Sequence, residues 1–461
     1  MNKIHDFFKK MSPTRLIALS FFLVIFIGAV LLSFDISNQG ENTSFINHLF
    51  IATSATCVTG LVPVVVAEQY SFIGQLIIIL LIQIGGLGFL TLLNVFYVFI
   101  HKKLSLKNKI VMQEALNQES IKDISLYIKR VFIYTFTIEL IGAICLSFVF
   151  IPEYGIKGIY YSLFHAISAF CNAGFDVLGS NSLIPYYNHL WINIVISSLI
   201  ILGGIGFVVM IELRYSFINY KQKYKQFSLK TYLHTITVHT KIVLLTTFVL
   251  IFLGMIVILM LEYHNPNTIA MMPLKDKLIV SYFQSVTLRT AGFASVDMAA
   301  LTPATKMFMT IVMFIGGSPA GTAGGIKTVT FVLMLLHIYS LIKGSENVNV
   351  FDKTIDVNIV KRALTIIIIS FVICILGLFA LSISENVDFI DLIFEVFSAF
   401  ATVGLSAGLT PRLSVIGKLV VIILMYIGRI GPVTMVLLFA RKYNSKKGKD
   451  IVYAKENVLI G

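Results

Sequence analysis

Four glycines recur at a near-constant interval along the 461-residue chain: Gly60, Gly174, Gly292 and Gly404, spaced 114, 118 and 112 residues apart. Each closes a short apolar run of similar make: F-I-A-T-S-A-T-C-V-T-G-L (50–61), F-H-A-I-S-A-F-C-N-A-G-F (164–175), Y-F-Q-S-V-T-L-R-T-A-G-F (282–293) and F-E-V-F-S-A-F-A-T-V-G-L (394–405). A Phe or Tyr stands ten residues before every glycine. The runs are too short to cross a bilayer, which takes about 20 residues as helix. They have the pattern of re-entrant helices that deliver irregular backbone to mid-membrane, where such backbone survives only inside protein or along a water-filled path. The chemistry on offer is that of the main-chain carbonyl. Four converging loops can replace the hydration shell of a bare cation, while the short helices aim their negative C-terminal ends at the same axis. Glycine fits the narrowest point because it adopts positive φ freely and adds no side chain. The candidate cation-binding residues are Thr56, Cys57, Val58, Thr59 and Gly60; Cys171, Asn172, Ala173 and Gly174; Arg289, Thr290, Ala291 and Gly292; and Ala401, Thr402, Val403 and Gly404. Small residues that merely let helices pack are the alternative. Four copies at one offset favour the ring and imply a quadruplicated unit.

The elements that must position these loops are membrane spans. With 57% hydrophobic and 13% charged residues, the chain has too little polar surface to wrap a soluble globule. Its net charge of +13 does not point to nucleic acid, because the basic residues flank apolar runs rather than cluster on a soluble face. The expected fold is an all-α polytopic membrane protein of four M1-P-M2 units (helix, re-entrant pore loop, helix), with pseudo-fourfold symmetry around a central cation pore. Repeat 1 occupies residues 14–100, repeat 2 131–213, repeat 3 242–342 and repeat 4 363–440, with a cytoplasmic tail at 441–461. The expected spans are 14–34, 70–100, 131–151, 189–213, 242–261, 303–342, 363–383 and 416–440, eight in all. Of the 36 Lys and Arg, 27 fall on the N-terminus, the three connectors and the tail. Such a bias makes both termini cytoplasmic, in a multi-pass protein of the cell membrane. No small-residue cleavage site follows the first span, so it reads as a retained helix.

A second repeat lies within the second span of each unit: G-G-L-G (85–88), G-G-I-G (203–206), G-G-S-P (316–319) and G-R-I-G (428–431). Close helix packing explains these glycines better than nucleotide binding, since no strand precedes them and no phosphate-loop lysine follows. Two copies deviate. In the third, five glycines and one proline fall between Gly316 and Gly325, and the segment 303–342 would be about 60 Å long as straight helix against a hydrocarbon core of about 30 Å. It is therefore expected to be helix, intramembrane loop, helix, with Gly316, Gly317, Ser318, Pro319, Ala320, Gly321, Thr322, Ala323, Gly324, Gly325 and Lys327 forming a gate beneath the ring. In the fourth, Arg429 takes a glycine slot. An arginine inside a span faces a cavity or a partner; it either hydrogen-bonds the loop carbonyls and holds the gate shut or pairs with a buried carboxylate such as Glu139. Lys327 either belongs to the gate or snorkels to the cytoplasm.

The strings T-C-V-T-G, C-N-A-G-F, R-T-A-G-F and A-T-V-G-L resemble the four degenerate filter loops of the Trk/Ktr/HKT superfamily of potassium transporters. The resemblance covers the whole chain and is nearest to the membrane subunit of bacterial Ktr systems, with further cues in Q-E-A-L-N-Q (113–118) and S-P-A-G-T-A-G-G-I-K (318–327). It implies potassium as the transported ion, sodium as an activating or coupled ion, a homodimer, and a cytosolic nucleotide-binding regulatory ring. In the HKT branch a serine in place of the first filter glycine goes with sodium selectivity, so Gly60 favours potassium; a sodium or non-selective monovalent cation transporter is the alternative. The resemblance also implies the gating roles of the 316–327 loop and Arg429. No organic cofactor is expected in this chain, and membrane lipid is its surroundings.

Several residues carry less. Arg289 sits within a cation filter and is expected to point behind its loop to Glu395 or Asp391. His165 reads as a packing residue. The cysteines, with Cys57 and Cys171 at equivalent loop positions, form neither a disulfide framework nor a metal pattern. The intramembrane carboxylates and histidines are too few and scattered for an enzyme. Four units of like orientation do not fit an inverted-repeat carrier. An intramembrane gate in a chain without a sensor domain has to borrow one, and the resemblance implies that it is the nucleotide-binding ring, docked on the connectors at 101–130 and 214–241; the alternative is that these basic residues only set topology and meet anionic lipid.

Overall fold

Backbone that faces lipid must satisfy its hydrogen bonds within its own segment, so the long apolar runs form helices. The computed structural model describes residues 13–88, 124–223, 228–345, 347–432, 434 and 435. In chain order its main helices are α1 (Pro13–Leu32), α2 (Phe45–Cys57), α3 (Phe72–Leu87), α4 (Ile124–Tyr154), α5 (Lys157–Phe170), α6 (Leu190–Gly204), α7 (Phe207–Lys223), α8 (Leu229–Thr235), α9 (Val238–Glu262), α10 (Leu274–Thr287), α11 (Pro303–Phe314), α12 (Thr328–Ile342), α13 (Val357–Ser384), α14 (Phe389–Ala401) and α15 (Val415–Ile430). Between α12 and α13 a small antiparallel hairpin pairs β1 (Val348–Val350) with β2 (Lys353–Ile355), Asn349 opposite Thr354. Among the described residues four helices are long and apolar enough to cross a membrane: α1, α4, α9 and α13; the bent pair α6–α7 makes a fifth if counted as one span. The Q-E-A-L-N-Q string, most of the first basic connector and the tail at 441–461 lie outside the described residues.

The long helices are inside-out by the standards of a soluble protein. Along α13, Ile368, Phe371, Ile375 and Phe379 are exposed, while Ala363, Ser370, Cys374, Gly377 and Leu381 make the buried stripe. Such a helix suits lipid on one side and close helix contact on the other. The short helices α2, α5, α10 and α14 are enclosed by the long ones, and Phe50, Phe164, Phe283 and Phe394 are fully buried.

Polar ties cross three of the four junctions between groups of helices. The Tyr160 hydroxyl on α5 donates to Gln75 Oε1 on α3 (3.0 Å), Lys306 on α11 pairs with Asp391 on α14 (2.8 Å), and Lys418 Nζ on α15 donates to Asn47 Oδ1 on α2 (2.8 Å). The last tie closes the circle between the end of the chain and its start. Removing one partner of a buried ion pair leaves an uncompensated charge, a cost of about 3–5 kcal/mol. Lys306→Ala is therefore expected to lower the thermal unfolding midpoint of the detergent-solubilised protein markedly, with the double variant Lys306→Met, Asp391→Leu restoring much of it.

The segment expected as a span at 189–213 is bent in the structure. Helices α6 and α7 meet at 95°, and the break falls where the loop at 316–327 needs partners. The Gly203 and Gly204 carbonyls accept from Thr322 N (3.2 Å) and Ser318 N (2.8 Å), and the Phe207 amide donates to Ala320 O (2.9 Å). Main-chain groups released by the bend are thus satisfied by the loop. The basic connector expected from residue 214 begins as the helix α7. Glu212 on it accepts from Thr237 Oγ1 (2.8 Å) and Thr240 Oγ1 (2.6 Å), fastening it to the start of α9.

Candidate functional site

The four loops leave their short helices by one backbone path. The residue two before each glycine is left-handed: Val58 (φ 58°), Asn172 (58°), Thr290 (65°) and Thr402 (53°). The glycines themselves have φ of 98°, 68°, 78° and 95°. Left-handed backbone at a non-glycine residue is strained by on the order of 1–3 kcal/mol, and a strain repeated four times marks a geometry the site requires. The loops also touch in cyclic order. A Cβ on Gly60 would lie 2.5 Å from Ala173 O, one on Gly174 2.7 Å from Ala291 O, and one on Gly292 2.7 Å from Val403 O; one on Gly404 would collide with Thr59 O. Each glycine abuts the carbonyl before the next, and the fourth returns to the first. On one side of this ring opens a cavity of about 160 Å³ that all four glycines line together with Asp176, Ser182, Met298 and Ser406.

Serines that the sequence reading passed over hold three of the loops. Ser54 accepts from Thr59 N on its carbonyl (2.8 Å) and from Gly60 N on its hydroxyl (3.1 Å). Ser398 does the same for Val403 N (2.8 Å) and Gly404 N (3.2 Å). Ser168 accepts from Ala173 N (2.7 Å) and donates its hydroxyl to Phe175 O (2.7 Å). The signal was present as a serine six residues before Gly60, Gly174 and Gly404, with Val286 in that slot of the third copy. The second glycine repeat packs against these same helices: a Cβ on Gly85, Gly203 or Gly428 would collide with the carbonyl of Thr56, Phe170 or Phe400.

On the other side of the ring the chain breaks between α11 and α12. Gly316 N donates to Ile326 O (2.8 Å) and Thr328 N to Gly317 O (3.0 Å), which staple the base of a loop whose tip reaches α6. Arg429 crosses beneath. Its Nη1 donates to Thr322 O (2.5 Å), and its Nη2 to Gly85 O (2.5 Å) and Gly86 O (3.3 Å). Lys327 Nζ turns back to Ala323 O (2.7 Å). Both cations and residues 319–321 and 323–325 line a cavity of about 390 Å³. Glu139 is engaged elsewhere, accepting from Gln83 Nε2 (3.3 Å) and the Cys171 thiol (3.7 Å).

The carboxylate expected for Arg289 is not there. Asp391 is taken by Lys306, and Glu395 accepts from Ser406 (2.7 Å) and Thr410. The Arg289 side chain is buried, and its three guanidinium nitrogens have no hydrogen-bond partner among the described residues. Glu395 is engaged instead by hydroxyls of the segment 406–410 that follows its own helix. His165 is a packing residue whose Nδ1 meets Tyr161 O (2.7 Å) amid Phe150, Phe164 and Phe293. All four cysteines are free thiols, and no group of metal-ligating side chains forms among the described residues.

A family model described as TrkH, cation transport protein, matches residues 4–451. The Ktr system potassium uptake protein B of Bacillus subtilis is 43% identical to this chain over 453 residues, covering 98% of it and 97% of that protein. The potassium/sodium uptake protein NtpJ of Enterococcus hirae is 40% identical, with 98% of each chain covered. The crystal structure of the potassium transporter TrkH from Vibrio parahaemolyticus has the same fold, with a TM-score of 0.73 over 94% of this chain and 86% of that one at 16% identity.

Proposed function

The chain belongs to the TrkH cation transport protein family, and from that premise we propose that it takes up potassium through the ring of glycine loops, gated by the loop at 316–327. The observation that carries the reading is the closed cyclic contact of Gly60, Gly174, Gly292 and Gly404, each against the next loop's carbonyl. Such a ring offers a dehydrated cation main-chain oxygens from four sides. In this reading the four helix–loop–helix units are the repeats at 14–100, 131–213, 242–342 and 363–440. Both termini are cytoplasmic, the cavity lined by Asp176 is the outer mouth, and that lined by Arg429 the inner one. Sodium enters as a second reading because NtpJ, at 40% identity, is named for both ions. Tracer uptake into liposomes holding the purified chain, with potassium competed by sodium and rubidium, decides between them. Potassium uptake displaced by rubidium and not by equal sodium is the expected result; equal displacement by sodium would sink the potassium-selective reading.

The outer mouth gives this transport a pH dependence. Burial pushes the Asp176 carboxyl up to about 6, against the pull of hydrogen bonds from the Leu178 and Gly179 amides. Its negative charge, present at pH 7.5, is lost as the pH falls through 6, and with it an attraction for incoming cations. Uptake at low potassium is expected to fall between pH 7 and 5, and Asp176→Asn to be slower at pH 7.5 with that slope flattened.

The chain works as one subunit of a larger system in this proposal: a homodimer with a cytosolic nucleotide-binding ring on the basic connectors at 101–130 and 214–241. An intramembrane gate must be biased by something that binds its two states unequally. Purification from native membranes at low salt is expected to recover a soluble nucleotide-binding protein in stoichiometric amount, with potassium flux that responds to adenine nucleotides. The membrane chain alone, with flux indifferent to nucleotide in native vesicles, would count against it.

A further inference from the structure

The third loop of the ring lacks the anchor of the other three. Where Ser54, Ser168 and Ser398 hold their loops, the third short helix presents Val286, and Ala291 N bonds instead to Thr287 O (2.9 Å). Besides that bond, and one from Gln284 Nε2 to Ser295 Oγ (3.0 Å), the loop is held by neighbours outside its own helix. Asn172 Nδ2, on the second loop, donates to Arg289 O (3.2 Å), and Gly324 N, on the intramembrane loop, donates to Thr290 Oγ1 (3.2 Å). Asn172 is itself steadied from below, because Thr322 Oγ1 lies 3.0 Å from Asn172 Oδ1 and 3.0 Å from Phe170 O. The Thr322 carbonyl in turn accepts from Arg429. A continuous hydrogen-bonded path thus runs from Arg429 through Thr322 and Asn172 to the backbone of the third loop. Asn172, Thr290 and Thr322 are fully buried, and a Cβ on Gly203 would lie 2.6 Å from Asn172 Oδ1 and 2.8 Å from Thr322 Oγ1, so the junction is closed.

We infer that Asn172 and Thr322 are selectivity-determining positioning residues, through which the intramembrane loop holds the third side of the ring and the state of the gate sets the shape of the filter. The inference rests on the reading of the ring as filter and of the loop as gate. A loop that swings aside carries Thr322 Oγ1 and Gly324 N with it, leaving Asn172 and Thr290 short of a partner at ring depth. An unmet buried polar group is costly, so the third loop moves when the gate moves. The first, second and fourth loops keep their serines and stay.

The test is a double-substitution cycle with Thr322→Val and Asn172→Leu, read as the potassium-to-sodium uptake ratio in proteoliposomes. Each single change is expected to lower the ratio about tenfold, and the pair to lower it no further than either alone, since both cut one path. Thr322→Ser retains the hydroxyl and is the rescue variant, returning the ratio toward that of the unmodified chain. If Asn172→Leu does not fold, Thr322→Val against Thr322→Ser decides. A Thr322→Val protein whose total flux changes while its ratio does not, or single effects that multiply in the pair, would overturn the inference. Failure of the underlying reading looks different: Gly60→Ser would then leave the ratio, and Arg429→Ala the flux, as they are in the unmodified chain.

Discussion

Arg429→Ala is expected to raise basal potassium flux without nucleotide or partner, on the order of 100-fold if gate opening limits transport. The guanidinium bonds three carbonyls at once: Thr322 on the loop between α11 and α12, and Gly85 and Gly86 on α3. Hydrogen bonds from a charged donor contribute about 1.5–3 kcal/mol each. The bond to Thr322 alone accounts for about 3 kcal/mol at the upper end, which shifts a two-state equilibrium by roughly 100-fold when removed from the closed state only. Arg429→Lys should fall between, because one ammonium cannot span both elements with the same fork. Deletion of residues 320–324 is expected to raise flux in the same direction and, because it also removes Thr322 and Gly324, to lower the potassium-to-sodium ratio as Thr322→Val does. Stopped-flow flux with an intravesicular potassium dye measures this. Unchanged flux in well-folded protein would remove Arg429 from the gate.

Gly60→Ser is expected to lower the potassium-to-sodium uptake ratio by about tenfold or more. Gly60 has a φ of 98°, where a side chain is strained in any space, and a Cβ there would lie 2.5 Å from Ala173 O. Ring and second loop must both shift, by an amount worth about 1.4 kcal/mol or more. The added hydroxyl also offers the smaller ion an oxygen that can approach closely. Tracer competition at matched total flux gives the ratio directly; an unaltered ratio would mean that Gly60 does not face the transported ion.

What the sequence made legible follows from repetition and from local conformational demand. The period of the ring glycines is visible because a quadruplicated unit leaves the same residue at the same offset. The break at 315–327 is visible because five glycines and a proline cannot continue a helix and a straight one would be too long. The 95° bend between α6 and α7 was not, since G-G-I-G at 203–206 reads like the G-G-L-G at 85–88. What bends it is the tip of another repeat's loop, a contact of residues more than 100 positions away. For Arg289 the reason is divided: Lys306 of α11 claims Asp391 of α14, a contact between distant segments, whereas Thr410 claims Glu395 from the segment that follows Glu395's own helix. The serine anchors were legible in principle, as a fourth regularity within the aligned runs, missed because serine in a short helix reads as packing.

The cyclic contacts carry a consequence for biogenesis. The first loop's wall on one side is supplied by the last unit: Gly404 against Thr59, Lys418 bonded to Asn47, and the Tyr426 hydroxyl bonded to Ala18 O on α1 (2.7 Å). These partners are separated by 345 to 408 positions in the chain. During synthesis Asn47 Oδ1 therefore waits for Lys418, and the first loop for its neighbour on that side, until the end of the chain has been made. A nascent chain arrested before residue 404 has three sides of the ring and lacks the contact that closes it, so the ring is among the last features of the molecule to be completed.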